Sequence, residues 1–428
     1  MPGFLKKFFS TPARALGDEA AELLTVRGEA SGVSRAAGVL GGYAGLDAKG
    51  RLEFLRCLAE DFGPDERRLA EAVEEYRSRP DDVSARVLHD AAEPRRQELL
   101  RRLNLAPGGT AALVRMREDL LRQMGANPAL AQADADFVHL FGSWFNRGFL
   151  VLRRIDWQTP AAVLEKIIAY EAVHEINGWP DLRRRLDPPD RRCFGFFHPA
   201  LVDEPLIFVE VALTRGIPDA IAPLLDDARE PLPAGKATTA VFYSISNCQP
   251  GLRGISFGNF LIKQVVEDLR RDFPQLKTFV TLSPVPGFAG WLKAARAGNA
   301  SPTLSEDDRA DLKAHDTAAW VRDDASREAL RPVLGRAVAR YLLEAKSKNG
   351  KPLDPVARFH LGNGARLERV NFLGDLSAKG LREAAGFMVN YLYDLDDIER
   401  NHEQFENRGT IAVSRGVERL LRERPRPR

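Results

Sequence analysis

Three side chains far apart in the chain, Ser283, His360 and Tyr393, have the chemistry to place and move a proton. His360 closes the stretch Asp354-Pro355-Val356-Ala357-Arg358-Phe359-His360. This reads as a short helix capped by the aspartate, with proline in its first turn and Asn363-Gly364 as its stop. An imidazole is expected to titrate near neutrality, which suits proton transfer at working pH. Ser283 stands where an apolar strand, 278–282, runs into Pro284-Val285-Pro286-Gly287. Two prolines make that turn rigid and fix one hydroxyl at a strand end, a common place for small ligands. Taken singly, a lone histidine or a strand-end serine is more often structural than functional. Tyr391 and Tyr393, in Asn390-Tyr391-Leu392-Tyr393, share a face if that piece is extended and part company if it is helical.

Anion binding is the second kind of chemistry, and it lies between residues 238 and 291. Val241, Tyr243 and Ile245 alternate with Phe242, Ser244 and Ser246, the period of a half-buried strand. A glycine-rich turn over 249–258 follows, then a helix with an apolar stripe at Phe257, Phe260, Leu261, Val265 and Leu269 that stops near Pro274. A turn of small residues lets backbone N–H groups face an anion at the positive end of such a helix. Neither the dinucleotide G-x-G-x-x-G nor the nucleotide P-loop G-x-x-x-x-G-K-[ST] is present. The turn resembles the [RQ]-x-x-G-x-[GA] turn of GNAT-type acyltransferases, with Ser256 where many relatives carry glycine. That resemblance implies a coenzyme A site in which Arg253 reaches phosphate through its guanidinium. Gly254, Ile255, Ser256, Phe257, Gly258 and Asn259 would contribute backbone N–H groups.

The runs at 140–157, 159–176, 193–214, 354–365 and 386–395, with the central stretch, are similar to malonyl-CoA decarboxylase over roughly residues 140–400. The resemblance implies a GNAT-like carboxy-terminal domain with His360 and Ser283 in the active site and Tyr393 close by. Loss of carbon dioxide from a malonyl thioester leaves an electron pair that flows into the thioester carbonyl. No further cofactor and no metal is therefore expected, coenzyme A being part of the substrate. On this reading His360 is the proton donor to the enolate. Ser283 orients the malonyl carboxylate or the thioester and does not accept a proton, because the carboxylate is already ionised at neutral pH and no base adjoins the serine in sequence. Tyr393 shares the carboxylate or positions His360. Two other readings keep the coenzyme A turn: a coenzyme A-dependent acyltransferase, and a non-enzymatic malonyl-CoA-binding sensor.

The elements that position these residues divide the chain into a helical assembly domain, 1–144, and a GNAT-like α/β catalytic domain, 145–428. Helices are expected over 18–24, 52–62, 65–76, 92–103 and 110–124, with Asp47 and Asp65 as caps. Three strand candidates, 192–198, 206–214 and 239–247, form an antiparallel meander before the turn. Residues 305–346 read as a polar helical insertion closing over the site. The 428 residues carry 62 basic and 60 acidic side chains, a balance that gives no electrostatic case for nucleic acid or an anionic membrane. Cys57, Cys193 and Cys248, odd in number and widely spaced, argue against disulfides and zinc and for a reducing compartment; the arginine-heavy composition points to a bacterial source and hence the cytoplasm. A homo-oligomer, dimer or tetramer, is expected from the amino-terminal helices and from the family resemblance.

Overall fold

The computed structural model describes residues 11–255, 257, 261–298, 304–314 and 320–422. A helical amino-terminal region is followed by a mixed sheet with a strand–turn–helix–strand centre, the fold class expected from the sequence. Two compact units result. The first holds the described residues up to Val151 together with Phe197–Leu206 and the described part of Gln249–Phe257; the second holds Leu152–Phe196, Ile207–Cys248 and the described residues beyond.

In the first unit the helices are Pro12–Leu23, Glu29–Gly45, Ala48–Asp61, Glu66–Ser78, Asp82–Ala92, Arg95–Asn104, Gly109–Met124 and Ala131–Trp144. The expected caps are in place, Asp47 accepting from the Gly50 N–H and Asp65 from that of Arg68. The helices at 29–45, 82–92 and 131–144 were not anticipated. Glu29–Gly45 is so rich in glycine that propensity argues against it, yet it buries Ala36, Val39, Leu40 and Tyr43 at helical spacing. Tertiary burial there outweighs local preference.

The same unit takes up the beginning of the glycine turn. Arg117, almost wholly buried on helix Gly109–Met124, pairs with Asp134 at 2.8 Å and donates to the carbonyls of Gly251 at 2.8 Å and Arg253 at 3.0 Å. Gly251 lies so close to the same helix that an added Cβ would sit 2.0 Å from the Val114 carbonyl oxygen.

The strands are β1 (Val151–Ile155), β2 (Arg191–Phe197), β3 (Pro205–Thr214), β4 (Thr239–Asn247), β5 (Thr278–Thr281), β6 (Ser283–Pro284), β7 (Arg366–Asn371) and β8 (Met388–Leu392). Their order is β1-β2-β3-β4-β5-β8-β6, with β7 also paired to β8. The chain leaves β4, forms helix Leu261–Asp272 and returns as β5, so β4 and β5 run parallel. Their register runs from Thr239↔Thr278 to Phe242↔Thr281, while β4 continues to Asn247. One flank of β4 is thereby released from its neighbour beyond Phe242.

The alternation read from the sequence breaks in β4. Val211 pairs with Phe242 and Glu210 with Ser244, so Tyr243 is the extra residue of a bulge. Tyr243 and Ser244, which strict alternation sends to opposite faces, both meet the 171–174 segment. The His174 and Tyr243 rings lie 6.5 Å apart, and the Ser244 hydroxyl donates to the Glu171 carboxylate at 2.8 Å.

The stretch read as an insertion has a different use. Its helix Asp324–Leu343 buries Leu330, Val333, Leu334, Ala337, Val338, Tyr341 and Leu342, and so belongs to the core of the second unit. Among the described residues no helix is long and apolar enough to cross a membrane.

Gly251→Ala is expected to lose about 1–3 kcal/mol, the usual consequence of forcing atoms into a packed site. A fall in the urea midpoint at constant slope is the readout; an unchanged midpoint would show that the turn is not pinned to the helix.

Candidate active site

Thr281 and Ser283 are two residues apart at the end of β5 and the start of β6, so their hydroxyls share one face. Ser283 pairs with Val389 on β8, which fixes its backbone. His360 arrives on helix Pro355–Gly362, whose capping follows the sequence signals. Asp354 accepts from the Ala357 N–H at 2.9 Å, and Gly364 leaves the helix at φ +81°. A Cβ at Gly364 would lie 2.0 Å from the Ile398 carbonyl oxygen, so the glycine is required twice over. Asp354 is fully buried and takes a second hydrogen bond, at 3.3 Å, from Tyr341, which packs against Phe288 and Trp291. The helix carrying His360 is thus anchored to core aromatics through its cap.

Strand β8 and the residue that follows it supply the rest. Tyr391 and Tyr393 lie on one face, as an extended segment requires, and both turn to His360. The Tyr391 ring stacks on the imidazole at 4.6 Å and 24°, and the Tyr393 hydroxyl lies 2.8 Å from Nδ1. Across the ring, Nε2 is 3.1 Å from Ser283 Oγ. Ser283, His360 and Tyr393 therefore come together, although 77 positions separate the serine from the histidine.

Proton counting assigns the direction of this chain. The Ser283 hydroxyl donates to Thr281 Oγ1 at 2.9 Å, and a hydroxyl has one proton to give. Ser283 must then accept from His360, so Nε2 carries the hydrogen, and Nδ1, left with a lone pair, accepts from the Tyr393 hydroxyl. Protons point one way, from Tyr393 through His360 and Ser283 to Thr281.

Every member is buried, with His360 only 3% exposed. Burial alone pushes the imidazole down to about 3, so it is neutral at working pH in the unliganded protein. This corrects the expectation of a histidine titrating near neutrality: sequence shows the residue type, whereas the shift comes from an apolar, aromatic enclosure. The same enclosure raises the Tyr391 and Tyr393 phenols, which stay protonated donors. The sequence also offered no base beside Ser283; the fold places an imidazole there, with its N–H turned to the serine.

Of the coenzyme A turn, Ser256, Gly258 and Asn259 lie outside the described residues. Arg253 and Gly254 are exposed, Ile255 is buried and Phe257 half-buried. The N–H groups of Arg253 and Ile255 donate within the turn, to the Pro250 and Leu252 carbonyls.

Thr281, Tyr391 and Asp354 with Tyr341 are the members of the contact network around His360 that the sequence passed over or showed only as local structure. Thr281 was within reach: it stands at i−2 from Ser283 on a strand, the spacing that shares a face. Cys248 is buried, and His198 bonds the Trp144 carbonyl at 3.0 Å, a structural placement.

Comparison with known proteins adds a family. The model of the malonyl-CoA decarboxylase C-terminal domain matches residues 148–428, and that of the N-terminal domain matches residues 62–145. The mitochondrial malonyl-CoA decarboxylase of Anser anser anser is 37% identical over 408 residues, covering 88% of this chain and 81% of the goose protein. That of Mus musculus is 34% identical over 412 residues, covering 89% and 83% respectively. Among solved structures, malonyl-CoA decarboxylase from Rhodopseudomonas palustris superposes with a TM-score of 0.93 at 60% identity, covering 96% of this chain and 100% of that one. The protein of that name from Agrobacterium vitis gives 0.90 at 57% identity, covering 95% and 99%.

The buried imidazole has a consequence for stability. His360 is depressed from an unfolded value of 6.5 to about 3, so between these limits the unfolded chain binds the extra proton. Its contribution to stability is whole above 6.5 and is lost as the pH falls toward 3. Urea unfolding of the wild type and of His360→Asn is expected to show the wild type losing stability relative to the variant over this interval. A pH-independent difference would contradict a buried neutral imidazole.

Proposed function

The chain belongs to the malonyl-CoA decarboxylase family, and from this footing we propose that it converts malonyl-CoA to acetyl-CoA and carbon dioxide with His360 as the proton donor. The observation that carries the mechanism is the buried hydrogen-bond chain joining Tyr393, His360, Ser283 and Thr281. In the reaction the bond between the carboxylate carbon and the adjacent methylene breaks. Its electron pair becomes an enolate on the thioester oxygen, and one proton must be delivered to the methylene carbon. The protein has to hold the breaking bond perpendicular to the carbonyl plane, stabilise the growing negative charge and supply that proton.

The neutral resting state of His360 fits this sequence. A malonyl carboxylate brought against the ring supplies the negative charge that its enclosure lacks, and an opposite charge at contact favours the protonated imidazole. His360 then takes up a proton from solvent on Nδ1 as substrate binds, and the Tyr393 hydroxyl turns from donor to acceptor at that nitrogen. When carbon dioxide departs uncharged, the negative charge moves to the enolate oxygen, and the imidazolium faces it as a proton donor. Ser283, fixed between Nε2 and Thr281, orients the carboxylate or the thioester oxygen. Tyr393 holds the far nitrogen, so that the ring neither turns nor sheds its proton from the wrong side.

Coenzyme A in this reading follows the acyltransferases, with its pyrophosphate on the turn at 253–259 and Arg253 on phosphate. The substrate brings its own electron sink, and we assign no further cofactor. The chain then divides its labour as the sequence implied, 1–144 for assembly and 145–428 for catalysis. A homodimer or homotetramer is assigned to this helical unit, where Val73, Tyr76, Val83 and Leu105 are exposed apolar side chains. The cytoplasm is the compartment that suits its three widely spaced cysteines, Cys57, Cys193 and Cys248.

His360→Ala is expected to lower kcat by about 10²–10⁴, the range for losing a general acid, with little change in coenzyme A affinity. The assay follows acetyl-CoA formed from malonyl-CoA alone, without free thiol. Near-normal turnover would remove His360 from the mechanism.

A further inference from the structure

Thr281 is fully buried and has two partners that a strand residue does not ordinarily collect. Next to it the β5–β8 ladder is regular: Val280 faces Leu392, and the Tyr393 N–H donates to the Phe279 carbonyl at 2.8 Å. At Thr281 the pattern changes. The Tyr391 N–H bonds the threonine Oγ1 at 3.1 Å, and the Thr281 carbonyl receives the Asn390 side-chain amide at 2.8 Å. Asn390 is itself held through Oδ1 by Arg369 at 3.1 Å and Asn371 at 2.9 Å. Side chains have replaced main chain at one rung, and the hydroxyl placed there is the acceptor of the Ser283 proton.

We infer that Thr281 is the positioning residue that orients Ser283: by accepting the serine proton on a hydroxyl fixed to the Tyr391 N–H, it keeps the Ser283 lone pairs turned toward His360 and the substrate. A β-branched side chain in a strand has little freedom at χ1, so its oxygen is a fixed acceptor. A serine hydroxyl rotates freely unless something takes its proton. Released from Thr281, it can give that proton to His360 Nε2, which reverses the chain and moves the imidazole hydrogen to Nδ1. At rest the ring hydrogen would then face Tyr393, and the serine lone pair that received it would be turned away from the imidazole and the substrate. Tyr391, which stacks on the imidazole while its N–H holds Thr281, couples the two ends in one strand residue. Asn390, with its partners Arg369 and Asn371, keeps the threonine backbone in place. The inference rests on the decarboxylase reading, in which Ser283 and His360 act on the malonyl group.

The test is a two-by-two set of variants, Thr281→Val and Thr281→Ser, each with Ser283 intact and in Ser283→Ala, with folding checked by thermal melts. Thr281→Val is expected to lower kcat about 10- to 100-fold with KM for malonyl-CoA within about threefold, the pattern of a misplaced catalytic group. Thr281→Ser, which keeps the acceptor, is expected to restore most of the rate. In Ser283→Ala the valine substitution is expected to change kcat by less than about twofold, because no serine remains to be oriented. Equal losses in both backgrounds, no rescue by serine, or full activity of Thr281→Val beside an impaired Ser283→Ala would each overturn the role of Thr281 alone. Undiminished turnover in Ser283→Ala would overturn the assignment of Ser283 and this inference with it. Thr281→Ala serves as the second truncation should the valine variant not fold.

Discussion

A neutral imidazole shut away from water is the constraint on which the described site depends. Among the described residues His360 has no charged partner at contact; its hydrogen-bonding and stacking neighbours there are two tyrosines and a serine, and burial alone disfavours its cation. Such a group is tolerable only if both ring nitrogens are satisfied, since a buried polar atom without a partner costs a substantial part of a protein's margin of stability. The fold meets that demand with one donor and one acceptor, Tyr393 at Nδ1 and Ser283 at Nε2. It then extends the chain to Thr281, so that the proton order is fixed at both ends.

From this constraint the surrounding architecture follows. Helix Pro355–Gly362 must hold its last turn in one place, and its cap Asp354 is anchored by Tyr341 in an aromatic cluster. Strand β8 has to lie between β7 and the continuous edge formed by β5 and β6, because that placement sets Val389 opposite Ser283 and brings Tyr391 and the following Tyr393 to the imidazole on the same face. A site of uncharged groups also explains how one pocket can receive an anion. In the mechanism we propose, the substrate carboxylate supplies the charge that protonates the histidine, and its loss as carbon dioxide leaves a matched donor and enolate. An arginine in the same place would bind the carboxylate as firmly, yet could not give up its proton.

Much of this was readable in the residues, and the boundary falls where local signals end. Asp354, Pro355 and Gly364 announce their helix, and Pro284 and Pro286 announce the end of a strand, because capping and φ restriction are local effects. The pairing of β8 with β5 and β6 is not local: nothing near residue 390 says which strands will flank it. The depressed proton affinity of His360 follows from that enclosure and was therefore misjudged from the residue type. In β4 the bulge at Tyr243 spoils an alternation that looked secure, because one extra residue against β3 leaves no mark in composition. Helix Glu29–Gly45 shows the converse, a segment whose glycines read as loop and whose apolar spacing is redeemed only by neighbours.

The protonation state of His360 in the unliganded protein tests the account most directly. Nitrogen-15 NMR of histidine-labelled protein, with the His360 signals assigned by their loss in His360→Asn, reads each ring nitrogen separately. The account requires one protonated nitrogen, Nε2, and one bare acceptor, Nδ1, at neutral pH and through the mildly acidic range. A ring protonated on both nitrogens at neutral pH, or one carrying its hydrogen on Nδ1, would contradict it.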